Sequence, residues 1–76
     1  MEHYTIEVFQ KDLRFTEKEF LRSIHYVEDT NSEQPLRWAR HFWCRDGRTY
    51  RFNVFKTPES VKNGPYYQTK DYLWLR

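Results

Sequence analysis

Apolar and polar positions alternate near the start of the chain, which predicts a first β-strand. From Tyr4 to Val8 every second residue is apolar, the period of a strand that buries one face against a core. The buried face would carry Tyr4, Ile6 and Val8. The opposite face would carry Thr5, Glu7 and Phe9.

An apolar stripe with helical spacing follows this strand. Its members are Phe20, Leu21, Ile24 and Val27. Thr16 and Glu19 form a capping-box pair, so we expect a helix that begins at Glu17. Residues 29–35 are polar and turn-forming, and the helix is therefore expected to end near Asp29.

Two aromatic runs on either side of Asp46-Gly47 predict a β-hairpin from Leu36 to Lys56. Asp-Gly is favoured in two-residue type I′ turns, and such a turn decides which residues share a face. We expect Arg40 and Arg51 on the exposed face, because unpaired guanidinium groups buried in mid-strand would be strongly unfavourable. The buried face would carry Ala39, His41, Trp43, Tyr50, Phe52 and Val54. The exposed face would carry Trp38, Arg40, Phe42, Cys44, Thr49, Arg51, Asn53 and Phe55.

Turn-forming residues also delimit the end of the chain. Thr57-Pro58 and Asn63-Gly64-Pro65 would bound a short helix, and the alternation of large apolar residues over 66–76 predicts a last strand. The order β-α-β-β-(short α)-β indicates one small α+β domain over residues 1–76, in which a small antiparallel sheet packs on one main helix. It fits a ferredoxin-like split βαβ fold. A three- or four-stranded sheet that carries only the first helix is the alternative.

Charge is unevenly distributed along the chain, although the net charge is only +2. Residues 1–35 carry a net charge of −4, residues 36–56 carry +5 and residues 57–76 carry +1. The basic charge coincides with the predicted hairpin, which is typical of a surface that meets an anion. A fold whose halves neutralise each other is the alternative.

Cysteine content and apolar runs bear on the compartment. The single cysteine, Cys44, excludes an internal disulfide and favours a reducing environment. The chain has no run of about 18 apolar residues and no basic-then-apolar leader, so we expect a cytoplasmic protein without a membrane partner. The histidines and Cys44 lack the spacing of metal ligands, and neither a metal nor another cofactor is expected.

The strand from Arg48 to Phe55 resembles part of the RNP1 signature of RNA-recognition motifs. The matching positions are Arg48, Tyr50, Phe52 and Phe55. The resemblance departs from the signature at Thr49, Arg51 and Asn53, where small residues and a valine are usual. It implies that Tyr50 and Phe52 stack on RNA bases, which is the reverse of the face assignment above.

Aromatic side chains and arginines in one hairpin are suited to stacking on bases and pairing with phosphates. We therefore expect a non-enzymatic regulatory module that binds nucleic acid, with RNA or single-stranded DNA as first choice. The candidate binding residues are Trp38, Arg40, Phe42, Arg45, Arg48, Arg51 and Phe55. Because arginine and aromatic residues also favour protein interfaces, an adaptor or inhibitor that binds a larger protein partner is the first alternative. A small metal-independent ribonuclease that uses His41, Arg45, Arg48 and Tyr50 is the second.

Overall fold

The computed structural model describes residues 1–11, 18–44, 49–65 and 67 of the 76-residue chain. The elements in these ranges are, in chain order, β1 (Glu2–Lys11), β2 (Glu19–Asp29), α1 (Glu33–Trp43), β3 (Tyr50–Lys56) and α2 (Glu59–Lys62). The strands form one antiparallel sheet in the order β2-β1-β3. A small antiparallel sheet with one main helix is thus confirmed. The predicted element order and the split βαβ arrangement are not.

The core lies between the sheet and α1, and the central strand β1 supplies most of it. Tyr4, Ile6 and Val8 are buried, as the alternation of the first strand predicts. Val27 of β2 and Ala39 of α1 are fully buried beside them. The larger side chains packed against this cluster are only partly buried: Trp38, Trp43, Tyr50, Phe52 and Val54.

The predicted first helix is wrong, because residues Glu19–Asp29 form strand β2. This strand pairs antiparallel with β1 along its whole length. Pairing supplies hydrogen-bond partners for its backbone and places Val27 in the core. The predicted capping residue Thr16 lies outside the described residues, and its partner Glu19 is the first residue of the strand.

A β-bulge in β2 explains why its sequence imitates a helix. The register shifts between Val8 and Phe9 of β1, and Arg22 is the extra residue on the β2 side. The bulge moves the alternation of side chains by one position, so Phe20 and Val27 share a face of the sheet although seven residues separate them. A helical stripe contains the same spacing, and the pattern alone does not separate the two structures.

The predicted hairpin is wrong in its first half, where residues Glu33–Trp43 form helix α1. The Asn31 side chain caps this helix, because its Oδ1 accepts hydrogen bonds from the backbone N–H groups of Glu33 (2.9 Å) and Gln34 (3.2 Å). Pro35 lies in the first turn of α1, where backbone N–H groups have no intrahelical acceptor. The absence of an N–H group on proline therefore removes no hydrogen bond from the helix. The polar segment before the predicted hairpin therefore contains the start of α1.

Helical spacing divides the side chains of α1 into a covered and a solvent side. Pro35 and Ala39 are buried, and Trp38, Phe42 and Trp43 are half-buried beside them. A strand would have turned Trp38 and Phe42 away from Trp43, whereas the helix directs all three toward the sheet. Trp38 and Trp43 pack against the core from this helix, although aromatic residues prefer strands.

The second half of the predicted hairpin is strand β3, which pairs antiparallel with β1. Its predicted faces are confirmed, because Tyr50, Phe52 and Val54 pack against the core and Arg51 is exposed. The RNP1 resemblance requires Tyr50 and Phe52 in solvent, so that part of it is not supported. The predicted turn at Asp46-Gly47 lies outside the described residues.

The predicted short helix is confirmed as α2. Pro58 is its cap rather than its first helical residue, and the Pro58 carbonyl accepts a hydrogen bond from the backbone N–H of Lys62 (3.1 Å). The predicted last strand over residues 66–76 falls outside the described residues apart from Tyr67.

The face of the sheet that points away from α1 is called here the open sheet face. Its side chains are His3, Thr5, Glu7, Phe9 and Lys11 of β1, Glu19, Leu21, Ile24, Tyr26 and Glu28 of β2, and Arg51, Asn53 and Phe55 of β3. At one end of it a hydrogen bond of 2.7 Å joins the Tyr67 hydroxyl to His3 Nδ1, and the Tyr67 ring lies edge-on to Tyr26. At the same end the buried hydroxyl groups of Thr5 and Thr57 are 2.9 Å apart. The end around Phe9 is more exposed.

Replacing Ile6 by alanine should destabilise the fold by about 2–5 kcal/mol, because this side chain is fully buried and its loss leaves a cavity. The matched change Ile24→Ala should cost less than about 1 kcal/mol, since Ile24 is 43% exposed on the open sheet face. Urea denaturation followed by circular dichroism measures both free energies of unfolding. If Ile6→Ala does not fold, Ile6→Val should lower stability by about 0.5–1.5 kcal/mol. Equal losses at positions 6 and 24 would contradict the assignment of faces.

Candidate functional site

The residues that the sequence nominates as a binding surface lie on two opposite sides of the sheet. Those on α1 are Trp38, Arg40 and Phe42. Those on the open sheet face are Arg51 and Phe55. Arg45 and Arg48 lie outside the described residues. The sheet therefore separates side chains that the predicted hairpin would have placed together.

The aromatic side chains of α1 form a packed cluster with the sheet. The Trp38 and Phe42 rings stack one helical turn apart, with centroids separated by 5.0 Å and an interplanar angle of 19°. Trp43 lies edge-on to Tyr50 of β3, with centroids 5.4 Å apart. Both tryptophans also contact the imidazole of His25 on β2. These rings join the helix to the sheet, and packing engages most of their surface.

His25 is the titratable group within this cluster. Its ring lies edge-on to Trp38 at 5.4 Å and is tilted against Trp43 at 5.9 Å. Its Nε2 lies 3.2 Å from the Ser23 hydroxyl. Burial lowers the pKa of His25, because the charged imidazolium loses its hydration among the rings. The fold therefore favours the neutral form.

The solvent side of α1 carries Arg37, Arg40 and His41, all of which are exposed. The two arginines are three residues apart, so they are neighbours on the helix surface. His41 faces solvent, whereas Tyr50 packs against the core beneath the helix. The general base and the tyrosine of the predicted ribonuclease site therefore do not share a surface.

An exposed apolar group on the open sheet face was missed by the sequence analysis. Leu21 and Ile24 are 47% and 43% exposed, and Leu21 pairs with the half-buried Phe9 of β1. These three residues are called here the apolar patch. Without the bulge at Arg22, an arginine would stand beside Phe9 instead of a leucine. The bulge therefore gives this end of the face its apolar character.

One signal for the apolar patch was present in the sequence. Phe9 stands on the polar face of an alternating strand, where a large apolar side chain is unusual. Leu21 and Ile24 gave no such signal, because in a helix they would belong to the covered stripe. Their exposure depends on the pairing of β2 with β1.

Charged groups border the apolar patch. Arg51 of β3 donates a hydrogen bond from Nε to Oε1 of Glu19 on β2 (2.8 Å), and its guanidinium carbon lies 4.3 Å from the centroid of the Phe9 ring. The bond from Arg51 lowers the pKa of Glu19, and the carboxylate raises the pKa of Arg51. The ion pair therefore stays charged at neutral pH and joins the two outer strands over β1.

Glu7 lies in the central strand of the open sheet face, between Ile24 and Asn53 in the register. It is half-buried, and its Oε1 accepts a hydrogen bond of 2.9 Å from Nδ2 of Asn53. An amide donor satisfies one lone pair of the carboxylate without neutralising its charge. The face therefore has a negative group near its centre.

The part of the chain that the structure describes bears on two further kinds of site, a metal centre and a membrane span. No group of three or more His, Cys, Asp or Glu side chains in these residues could hold a metal ion. No described helix has the length and apolar character needed to cross a bilayer. Cys44, at the end of α1, is an exposed free thiol.

Comparison with known proteins adds no family to these observations. No protein-family model, curated protein or solved structure matches the chain. The candidate site therefore has to be argued from geometry. Two surfaces qualify, namely the apolar patch with its charged border and the basic solvent side of α1.

Stability should fall as the pH decreases below about 6.5, because the folded state lowers the pKa of His25 from that value. At pH values between the lowered pKa of His25 in the folded chain and its ordinary pKa in the unfolded chain, the unfolded chain binds one more proton. The equilibrium therefore shifts toward unfolding. At higher pH the His25 imidazole is neutral in both the folded and the unfolded chain, and this loss of stability disappears. His25→Gln should remove this part of the pH dependence, whereas the exposed control His41→Gln should retain it. Urea denaturation from about pH 5 to about pH 8 measures it, and identical profiles for the wild type and His25→Gln would contradict the assignment.

Proposed function

We propose that this protein is a non-enzymatic module that binds another protein through the apolar patch. The observation that carries the proposal is the exposure of Leu21 and Ile24 beside Phe9, on the face that α1 does not cover. Apolar side chains gathered on one face and bordered by charged groups are typical of protein interfaces. Such a module would act as an adaptor, or as an inhibitor that occupies the surface of a larger partner.

The charges of the open sheet face favour a protein partner over nucleic acid at this surface. Glu7 and Glu19 both lie on this face, and Arg51 is already hydrogen-bonded to Glu19. A phosphate backbone laid across the patch would meet the carboxylates of Glu7 and Glu19, a guanidinium group already bonded to Glu19, and Lys11 beside Glu19. The surface thus offers little attraction for a polyanion.

The exposed thiol of Cys44 bears on the compartment of the proposed interaction. Exposed cysteines without an internal partner suit reducing surroundings, because oxidising compartments convert them to disulfides. We therefore place the interaction in the cytoplasm.

The paired substitution Leu21→Thr/Ile24→Thr should abolish capture of the partner and leave the fold intact. Threonine is well accepted in strands, and the change removes apolar surface from the centre of the proposed interface. Affinity capture from cell lysate, read by mass spectrometry, measures the effect. The captured protein should persist after nuclease treatment and at high salt, since apolar contacts do not depend on counterion release.

The matched control for this experiment is Arg37→Gln/Arg40→Gln, which alters exposed residues on the solvent side of α1. It should retain the partner, and circular dichroism should show that both double variants fold. A partner that still binds Leu21→Thr/Ile24→Thr would refute the proposal, as would one that is lost on nuclease treatment.

Binding of nucleic acid is a second candidate, and the exposed guanidinium groups of Arg37 and Arg40 favour it. They are neighbours on the solvent side of α1, away from the acidic groups of the open sheet face. Two arginines on a helix surface can pair with successive phosphates. Nucleic acid would then bind on the side of the molecule opposite the apolar patch.

If α1 binds nucleic acid, the affinity for a single-stranded RNA oligonucleotide should fall with salt by a log–log slope of about −0.7 per neutralised phosphate. The double change Arg37→Gln/Arg40→Gln should make that slope less steep by about 1.4, and Leu21→Thr/Ile24→Thr should leave it unchanged. Fluorescence anisotropy at several NaCl concentrations measures both slopes. Absence of binding at low salt would exclude this candidate.

A further inference from the structure

We infer that the partner presents a basic amphipathic segment, in which a lysine or arginine docks on the Glu7 carboxylate while flanking apolar side chains cover the apolar patch. This inference rests on the proposed function and specifies the chemistry that its surface recognises. Three features support it: the position of Glu7, the charges around Glu7, and the free energy lost when the Glu7 carboxylate is covered without a cation.

Glu7 directly adjoins the apolar patch. It lies on the middle strand, next to Ile24 on one side and Asn53 on the other. Phe9 follows two residues later on the same face, about 7 Å along the strand. In the register Ile24 lies opposite Glu7 and Leu21 lies opposite Phe9, so the carboxylate adjoins all three residues of the apolar patch and a segment that covers the patch contacts it.

The charges on this face leave Glu7 uncompensated. The guanidinium of Arg51 donates to Glu19, and its attraction to Glu7 acts only at longer range. Lys11 lies beside Glu19, four residues from Glu7 and about 13 Å away along β1. Among the described residues, the hydrogen-bond partner of Glu7 is the neutral amide of Asn53. Within the part of the chain that the structure describes, one negative charge thus lies at the centre of the face without a paired cation.

A partner that covers the Glu7 carboxylate has to compensate its negative charge. An apolar segment laid over Glu7 would remove its hydration and leave a buried, unpaired charge, which strongly opposes binding. A lysine or arginine in the same place supplies a charge-assisted hydrogen bond to the free lone pairs of the carboxylate. The apolar patch and Glu7 together therefore select a cation flanked by apolar side chains.

A second copy of this chain fits the surface less well. In a two-fold symmetric dimer the same patch faces itself, so a contact centred on the open sheet face would place Glu7 opposite the Glu7 of the second copy. Like charges in a desolvated contact oppose association. The charge pattern therefore favours a different partner.

Selection from a random peptide library displayed on phage tests the inference on the full chain. Peptides enriched on the wild type should carry a lysine or arginine between apolar residues. On Glu7→Lys the enriched peptides should carry aspartate or glutamate at that place instead, because the central charge is reversed. The control Glu33→Lys makes the same charge change at an exposed site on α1 and should enrich the same peptides as the wild type.

Calorimetry with one enriched peptide gives the magnitude. Replacing its basic residue by glutamine should weaken binding to the wild type about tenfold. Against Glu7→Gln, the basic and glutamine peptides should bind equally.

The outcomes separate this inference from the proposed function. If enrichment is lost on Leu21→Thr/Ile24→Thr but shows no charge preference that depends on residue 7, the apolar patch is an interface and the inference about a basic segment is wrong. If no peptide is enriched on the wild type, or if enrichment survives Leu21→Thr/Ile24→Thr, both are overturned.

Discussion

The packing of α1 across the central strand β1 is the interaction on which the rest of the structure depends. Ile6 and Val8 are fully buried on the face that the helix covers, and Ala39 is the fully buried residue of α1 that meets this cluster. A chain of this length encloses few residues completely, so large side chains at the margin supply much of the remaining burial. That role belongs to Trp38 and Trp43 of α1 and to Tyr50 and Phe52 of β3. These rings pack against the core, so their buried surface is not available for binding.

Helix α1 covers one face of the sheet, and smaller contacts stabilise the open sheet face. At one end of the open sheet face, Tyr67 contacts His3 and Tyr26. At the other end, the ion pair of Arg51 and Glu19 lies over β1, and such exposed pairs stabilise little. Leu21 and Ile24 of the apolar patch stay exposed beside that ion pair. The surface proposed for binding is therefore the part of the sheet that α1 does not cover.

The candidate site differs in kind from the one that the sequence suggests. A basic aromatic hairpin would have combined stacking with phosphate pairing on one surface. In the folded protein the aromatic groups join helix to sheet, the exposed arginines of α1 lie on the far side of that helix, and the open sheet face combines apolar side chains with carboxylates. We propose that this combination disfavours polyanions and favours a partner that brings its own cation.

The sequence by itself determined the elements whose pattern is local. The alternation of β1, the two faces of β3 and the turn residues around α2 were all predicted correctly, because period and turn chemistry need no distant partner. It also placed Ala39, Trp43 and Tyr50 in or against the core, although it assigned the first two to a strand. A strand and a helix can both direct the same large side chains inward. A correct prediction that a residue is buried therefore does not show whether it lies in a strand or in a helix.

Only the tertiary structure decided the identities of β2 and α1. The bulge at Arg22 appears when β2 pairs with β1, and it gives a strand the spacing of a helical stripe. In the helix of residues 33–43, Trp38 and Trp43 both pack against the core, whereas a strand would have turned them to opposite faces. The apolar patch follows from both decisions, since Leu21 and Ile24 are exposed only when their segment is an outer strand and the helix lies on the opposite face. Non-local pairing and burial decided these features, and a one-dimensional pattern does not contain them.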